Sequence, residues 1–473
     1  MTVIEIILCL VFLGLTGYLV IKKYNPSTIL MSMGLIMIGI AMAIGIYTIG
    51  GDPDLPGAKK FNLSIDTGSP FTDVFKLVEN FFDDSFIRFG LLIMTISGYV
   101  AVMNKMRATE AMVYIASKPL SVFKKNPYLA AVIVIPICTC LFLCINSASG
   151  LGLLLVATIY PILLNIGVSK PTALSVIIMS VIFDMGPASA NTQLAAAQYG
   201  GDGTDYFIQY QIPMIVASIV CLMVVSYFSN RFWDKKEAKA GKDIYATAVS
   251  GEKPDIPLWY AFFPILPLVV LILISPSVGL ASFKASTSMV MIICALFASL
   301  FIFIYKRSLK VACDMMKSFW DGLGASFGSV IVLTVAALVF AKGLTALNFL
   351  NLIVDGCNAA NMGAIAVTIV FSLVVFFCTA MMGSGNAAFF AFGPMIPAIA
   401  AKFGITDAAG IAAMILPIQL LASMGRGVTP ISAVMVAVCG QTNTNTMDIV
   451  KRTMIPIVST AVMIIVLNFA LNW

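Results

Sequence analysis

Residues 144–152 read Cys144-Ile145-Asn146-Ser147-Ala148-Ser149-Gly150-Leu151-Gly152, small, polar and uncharged, between the two apolar arms of a stretch at 127–168. Met382-Gly383-Ser384-Gly385-Asn386 has the same layout inside a second apolar stretch at 363–402. Two more segments interrupt what would otherwise be continuous apolar helices. Phe183-Asp184-Met185-Gly186-Pro187-Ala188-Ser189-Ala190-Asn191-Thr192 does so within 172–200, and Met424-Gly425-Arg426-Gly427-Val428-Thr429-Pro430 within 408–440. Lipid offers no partner to a free N–H or C=O, so non-helical chain at membrane depth survives only where protein or water covers it. The pattern is a hairpin tip followed by a broken helix, twice.

The rest of the chain agrees with a bilayer setting. Of 473 residues, 60% are hydrophobic and 11% charged, with mean hydropathy +1.01. A soluble domain needs about a quarter of its residues charged, so a soluble enzyme, a disordered chain and a nucleic-acid module are excluded. The chain has no histidine, which removes imidazole metal sites and Ser-His or Cys-His nucleophiles. No catalytic residue, metal site or cofactor is expected, apart from a coupling proton or sodium ion. Cys138, Cys140 and Cys144 lie in an apolar run and read as small buried hydrophobes.

A helical span needs about 20 apolar residues. The first, Val3 to Ile21, reads as a mature span, and further candidates are 28–49, 86–104, 209–230, 257–277, 285–305, 322–346 and 453–472. The positive-inside bias sets their direction. Putting Lys22-Lys23, 105–125, Lys170, 231–256, 306–319 and Lys451-Arg452 in the cytoplasm collects 20 of the 28 Lys+Arg there. The N-terminus and the acidic segment around Asp52-Pro53-Asp54 then face outward.

A polar cytoplasmic linker at 231–256 divides the chain into units 1–230 and 257–473. Phe89-Gly90 answers Phe327-Gly328, Ser147-Ala148-Ser149-Gly150 answers Ser384-Gly385-Asn386, and Met185-Gly186-Pro187 answers Met424-Gly425-Arg426, each about 235 to 240 residues apart. Five spans separate the two starts, an odd number, so the units run in opposite directions. The expected fold is an all-α polytopic membrane protein of two inverted-topology repeats. Each carries a re-entrant hairpin (127–168, 363–402) and a broken transmembrane helix (172–200, 408–440), the building plan of many secondary transporters.

A helix restarting after Ser149-Gly150 or Gly385-Asn386 points free N–H groups and its positive dipole end at the break, which suits an anion. Two such tips face to face could hold both ends of a small dianion; alternatively, Gly and Ser only permit close packing. Arg426 costs at least ~2.5–3.5 kcal/mol at the bilayer centre unless it meets an anion, carbonyls or water. Its partner is either a substrate carboxylate, which guanidinium matches bidentately, or a fixed Asp184. Asp184 is a coupling-ion candidate, as proton carrier or cation ligand, or else the counter-ion of Arg426. Glu5, Arg88, Lys284, Lys342 and Lys402 fall near predicted span ends, where snorkelling accounts for them. Amphipathic stretches at 107–122 and 345–356 suit interfacial helices that join a fixed scaffold to a moving hairpin domain.

Together Ala116-Ser117-Lys118-Pro119-Leu120, Ser147-Ala148-Ser149-Gly150-Leu151-Gly152, Gly186-Pro187-Ala188-Ser189-Ala190-Asn191-Thr192 and Ala387-Ala388-Phe389-Phe390-Ala391-Phe392-Gly393-Pro394 resemble the DcuC-type anaerobic C4-dicarboxylate carriers of the ion transporter superfamily. The resemblance runs over essentially the full chain. It implies secondary transport of succinate, fumarate or malate across a bacterial inner membrane by an elevator-like movement, with a scaffold that dimerises into a homodimer. It carries substrate contact over to Asn146, Ser147, Ser149, Gly186, Ser189, Asn191, Ser384, Asn386, Arg426 and Thr429, beside Gly150 and Gly385 at the helix restarts. Carriers of amino acids or aminobenzoyl-glutamate share the architecture and remain the alternative substrate class. An anion channel built on the same helix ends is the alternative mechanism. The second tip departs from the Ser-Asn-Thr pattern of sodium-coupled members, so a proton or an exchanged dicarboxylate stands beside sodium as the coupling partner.

Overall fold

The computed structural model describes residues 2–22, 24–44, 67, 69–118, 126–242, 244–245, 255–274, 285–349 and 363–472. Most of the outer acidic segment, Lys284, the later parts of both interfacial stretches and most of 243–254 lie outside them, as do the side chains of Glu5 and Arg88. Among the described residues every regular element is helical, and nine helices are long and apolar enough to cross a membrane.

Prolines in the first turn, where no N–H is missed, open several elements. The first half comprises α1 (Thr2–Ile21), α2 (Pro26–Ala43), α3 (Pro70–Ser85), a π turn at Phe86–Gly90, α4 (Leu91–Lys105) and a short α5 (Ala108–Ser117). A helix pair α6 (Pro127–Cys144) and α7 (Ala148–Asn165) follows, then α8 (Lys170–Ser180) and α9 (Ala190–Ala197) around a break, and a long α10 (Gly203–Lys239).

The same order then recurs. It runs α11 (Leu258–Ile274), α12 (Thr287–Lys306), α13 (Leu309–Ser326), a π turn at Phe327–Ile331 and α14 (Val332–Ala346); the π turn at Phe207–Gln211 near the start of α10 has no counterpart here. After these come α15 (Ala364–Met382) paired with α16 (Gly385–Phe392) and α17 (Ile396–Lys402), then α18 (Ala408–Met424) and α19 (Ala433–Gln441) around a break, and α20 (Thr446–Asn472).

Packing sorts these elements into two groups. In the framework, α2 lies on α14 and α4 on α13. Glycines let the backbones touch: a Cβ at Gly34 would sit 2.6 Å from the Val339 carbonyl, and one at Gly98 2.8 Å from the Phe319 oxygen. In the second group α6 packs on α8, α15 on α18, α7 on α19 and α10 on α20.

Internal prolines leave the carbonyl four residues earlier without its helical donor. Three of these carbonyls are taken by side chains from neighbouring helices. Tyr99 donates to the Phe263 oxygen below Pro267 (2.6 Å), Asn468 to Ala413 below Pro417 (2.9 Å) and Ser229 to Arg452 below Pro456 (3.2 Å). Each kink is thus pinned to another helix.

Several sequence expectations change. The spans expected at 86–104 and 322–346 extend backwards through the charged α3 and α13, whose Asp, Glu and Lys residues break the apolar run but not the helix. Arg88 lies in the π turn between the charged α3 and the apolar α4. Arg452, expected as a cytoplasmic surface cation, is fully buried, 2.7 Å from both Asp234 and Glu237 and 2.9 Å from Thr172, and so clamps α8, α10 and α20 together. Those two acids belong to α10, which continues to Lys239, into the expected linker.

Candidate functional site

Four helices restart beside the breaks, and each is capped by a serine. Ser147 Oγ accepts from the Gly150 amide (3.3 Å), Ser384 Oγ from Ala387 (3.3 Å), Ser189 Oγ from Thr192 (3.3 Å) and Ser432 Oγ from Met435 (3.4 Å). A capping hydroxyl satisfies one of the orphan amides of a first helical turn and leaves the others aimed at the break. Gly383, at φ 71°, closes α15 in the left-handed conformation a tight reversal needs. Gly385 allows the second tip to press on α18, since a Cβ there would lie 2.7 Å from the Ala422 oxygen.

Both tips open onto one cavity of about 340 Å³, within the range of small-molecule sites. Asn146, Ser147 and Ser149 line it from the first tip; Ser384, Gly385 and Asn386 line it from the second. Asp184 and Arg426, from the two broken helices, form its floor. The framework supplies Ser329, Val330 and Leu333 from the π turn at Phe327–Ile331 and the start of α14.

Asp184 is heavily engaged. Its Oδ1 accepts from Ser189 Oγ (2.6 Å) and Asn146 Nδ2 (3.1 Å), and its Oδ2 from Asn191 Nδ2 (3.3 Å). Asn191 also donates to Asn386 Oδ1 at 3.2 Å, tying the first broken helix to the second tip. Behind them, Gln419 donates to the Asp184 carbonyl (3.2 Å) and Gln211 to Gln419 (3.0 Å), so a buried amide network fixes the unwound chain.

Arg426 is less completely paired. Its Nη2 lies 3.8 Å from Asp184 Oδ2, beyond a good hydrogen bond, and 3.5 Å from the Ile182 carbonyl. Its guanidinium stands 5.4 Å from the Phe142 ring centroid, and its Nε is buried with no partner. A buried cation with an unsatisfied donor, flanked by helix N-termini and neutral hydroxyls, is chemically suited to a carboxylate.

Of the residues expected in the site, Ser189 and Asn191 stand behind the cavity and act on it through Asp184 and Asn386. Three do not reach the lining. Gly150 is exposed, Gly186 (φ 90°) gives its amide to Gln211, and Thr429 is buried to one side. Sequence reasoning missed Ser329, Gln211 and Gln419; the two glutamines carried a signal, as uncharged polar side chains inside apolar runs.

The family described as "C4-dicarboxylate anaerobic carrier" matches residues 4–472. The chain is 28% identical to the probable anaerobic C4-dicarboxylate transporter DcuC of Vibrio cholerae, over 98% of this chain and 97% of that protein. It is 27% identical to the anaerobic C4-dicarboxylate transporter DcuC of Escherichia coli strain K12, over 98% and 96% respectively. Among solved structures it is similar to the YdaH transporter of Alcanivorax borkumensis, with TM-score 0.58, 14% identity, and 95% and 99% of the two chains covered. It is also similar to Neisseria gonorrhoeae MtrF, of a class of antimetabolite efflux pumps, with TM-score 0.59, 14% identity and 95% of each chain covered. At these identities the two structures speak for the fold.

Proposed function

Because the chain belongs to the family of C4-dicarboxylate anaerobic carriers, and is a multi-pass bacterial inner-membrane carrier and no enzyme, we propose that it moves succinate, fumarate or malate by alternating access. The observation that carries this reading is the single cavity shared by both hairpin tips, Asp184 and Arg426. One substrate carboxylate binds the Arg426 guanidinium. The other meets the hydroxyls and first-turn amides of the tips, where uncharged donors and helix dipoles offset its charge.

In this reading 1–230 and 257–473 are inverted repeats, and the two tips are re-entrant hairpins entering from opposite faces. Recurrence of most of the element order, including a π turn just before α4 and just before α14, supports it. The hairpins and broken helices form the moving body. Among the described residues the framework lines the cavity only at Ser329, Val330 and Leu333, the arrangement an elevator step requires. Asp184 is the coupling-ion position, and the framework is the dimerising part.

A thermal-shift panel tests the substrate class, because a ligand of the folded state raises its melting temperature. Succinate, fumarate and malate should each stabilise the purified protein. Stabilisation by amino acids alone would overturn the reading. Labelled succinate should also accumulate in succinate-loaded proteoliposomes by counterflow, which a channel does not support.

A further inference from the structure

Two buried arginines meet carboxylates in this chain, and they do so differently. Arg452 closes on Asp234 and Glu237 at 2.7 Å. Arg426 stands 3.8 Å from Asp184 Oδ2 without closing, although both side chains are almost completely buried. Away from water the attraction between the two charges is strong, so the gap needs a cause.

Main-chain packing fixes the arginine. A Cβ at Gly425 would lie 2.7 Å from the Phe376 oxygen and one at Gly427 2.5 Å from Ile457 Cδ1, so the chain on either side of Arg426 is wedged against α15 and α20. Three neutral donors fix the carboxylate: Ser189 and Asn146 on Oδ1, and Asn191 on Oδ2, the oxygen nearest the guanidinium. Asn191 stands out among them. Asp184 Oδ2 can only accept, so Asn191 must turn its Nδ2 toward it and toward Asn386 Oδ1. Its own Oδ1 is thereby buried with no donor among the described residues. An orphaned buried acceptor is a standing cost, and it marks a side chain oriented for the sake of its partners.

We propose that Asn191 is a positioning residue that keeps Asp184 off Arg426 and so leaves the guanidinium to a substrate carboxylate. The proposal rests on the carrier reading above. Asp184 and the substrate offer the same chemical group to one cation, which makes the internal acid a built-in competitor. Without Asn191, Oδ2 keeps no neutral donor among the described residues, and the guanidinium is the donor nearest to it. Closing that pair to hydrogen-bonding distance withdraws Arg426 from the cavity. Both tips take part in preventing it: the first holds the carboxylate through Asn146, and the second holds Asn191 through Asn386.

The test uses succinate as the probe, in calorimetric titration of the purified protein and in counterflow into succinate-loaded proteoliposomes. Asn191→Ala should raise the dissociation constant and the half-saturating concentration about tenfold or more, with little change in maximal rate. Adding Asp184→Asn to that variant should restore most of the affinity. A neutral amide competes poorly for the guanidinium; its nitrogen fills the place Asn191 leaves, and its oxygen keeps Ser189 and Asn146. An Asn191 that touched the substrate, or only supported the fold, would show no such recovery. If Asn191→Ala does not fold, Ser189→Ala, which removes the 2.6 Å bond to Oδ1, is read in the same way, again with Asp184→Asn as the restoring change. A single variant within about twofold of the parent affinity, or a double variant no tighter than the single, overturns the proposal, while succinate binding by the parent keeps the carrier reading. If the parent binds no dicarboxylate, both fall.

Discussion

Replacing Arg426 by alanine separates its two candidate roles by size. At 3.8 Å the attraction between Arg426 and Asp184 is about 4 kcal/mol at an effective dielectric of 20, but burying both charges consumes much of it. Asp184 keeps its three neutral donors when the guanidinium goes, so it is not orphaned. The folded protein should therefore survive, with a melting temperature within about 3 °C of the parent. Substrate binding should suffer far more. A bidentate carboxylate loses two charge-assisted hydrogen bonds of about 1.5–3 kcal/mol each, a fall of roughly 10²- to 10⁴-fold in affinity. Arg426→Lys keeps the charge without the fork and should fall in between. Calorimetric titration with succinate and uptake into proteoliposomes measure both. An affinity reduced less than tenfold in a folded Arg426→Ala protein would refute the reasoning.

Asp184→Asn should abolish the response of uptake to a pH or sodium gradient while succinate exchange persists; an unchanged gradient response would remove Asp184 from coupling. Asn468→Ala leaves the Ala413 carbonyl below Pro417 buried and unpaired, at a cost of about 1–3 kcal/mol in thermal unfolding. Adding Pro417→Ala restores a backbone donor and should recover most of that loss. Arg452→Met removes the fully buried cation 2.7 Å from both Asp234 and Glu237, leaving Lys242 3.7 Å from Glu237, and should cost up to about 3–5 kcal/mol. Neutralising both acids as Asn and Gln in the same chain should recover much of it, and no recovery would contradict the clamp.

Much of the site was legible because its residues violate their surroundings. Asn146, Ser149, Ser384 and Asn386 are polar where neighbours are apolar, and Arg426 between glycines has no reason to lie in lipid without a partner. What stayed hidden depends on distant chain. Arg452 beside Lys451 reads as one of two surface cations until Asp234 and Glu237, more than two hundred residues earlier, are brought to it. The helices α3 and α13 carry charges that erase an apolar run, although the backbone continues through them. Ser329 gave no signal, because a serine at one turn of an apolar helix is ordinary until the fold turns it toward the tips.

The most direct measurement is a density map of the protein with succinate bound. The ligand should span the space between Ser147 and Ser149 on one side and Ser384 and Asn386 on the other, with one carboxylate against the Arg426 guanidinium. A succinate held by a single tip, or found away from Arg426, would contradict the shared dianion site.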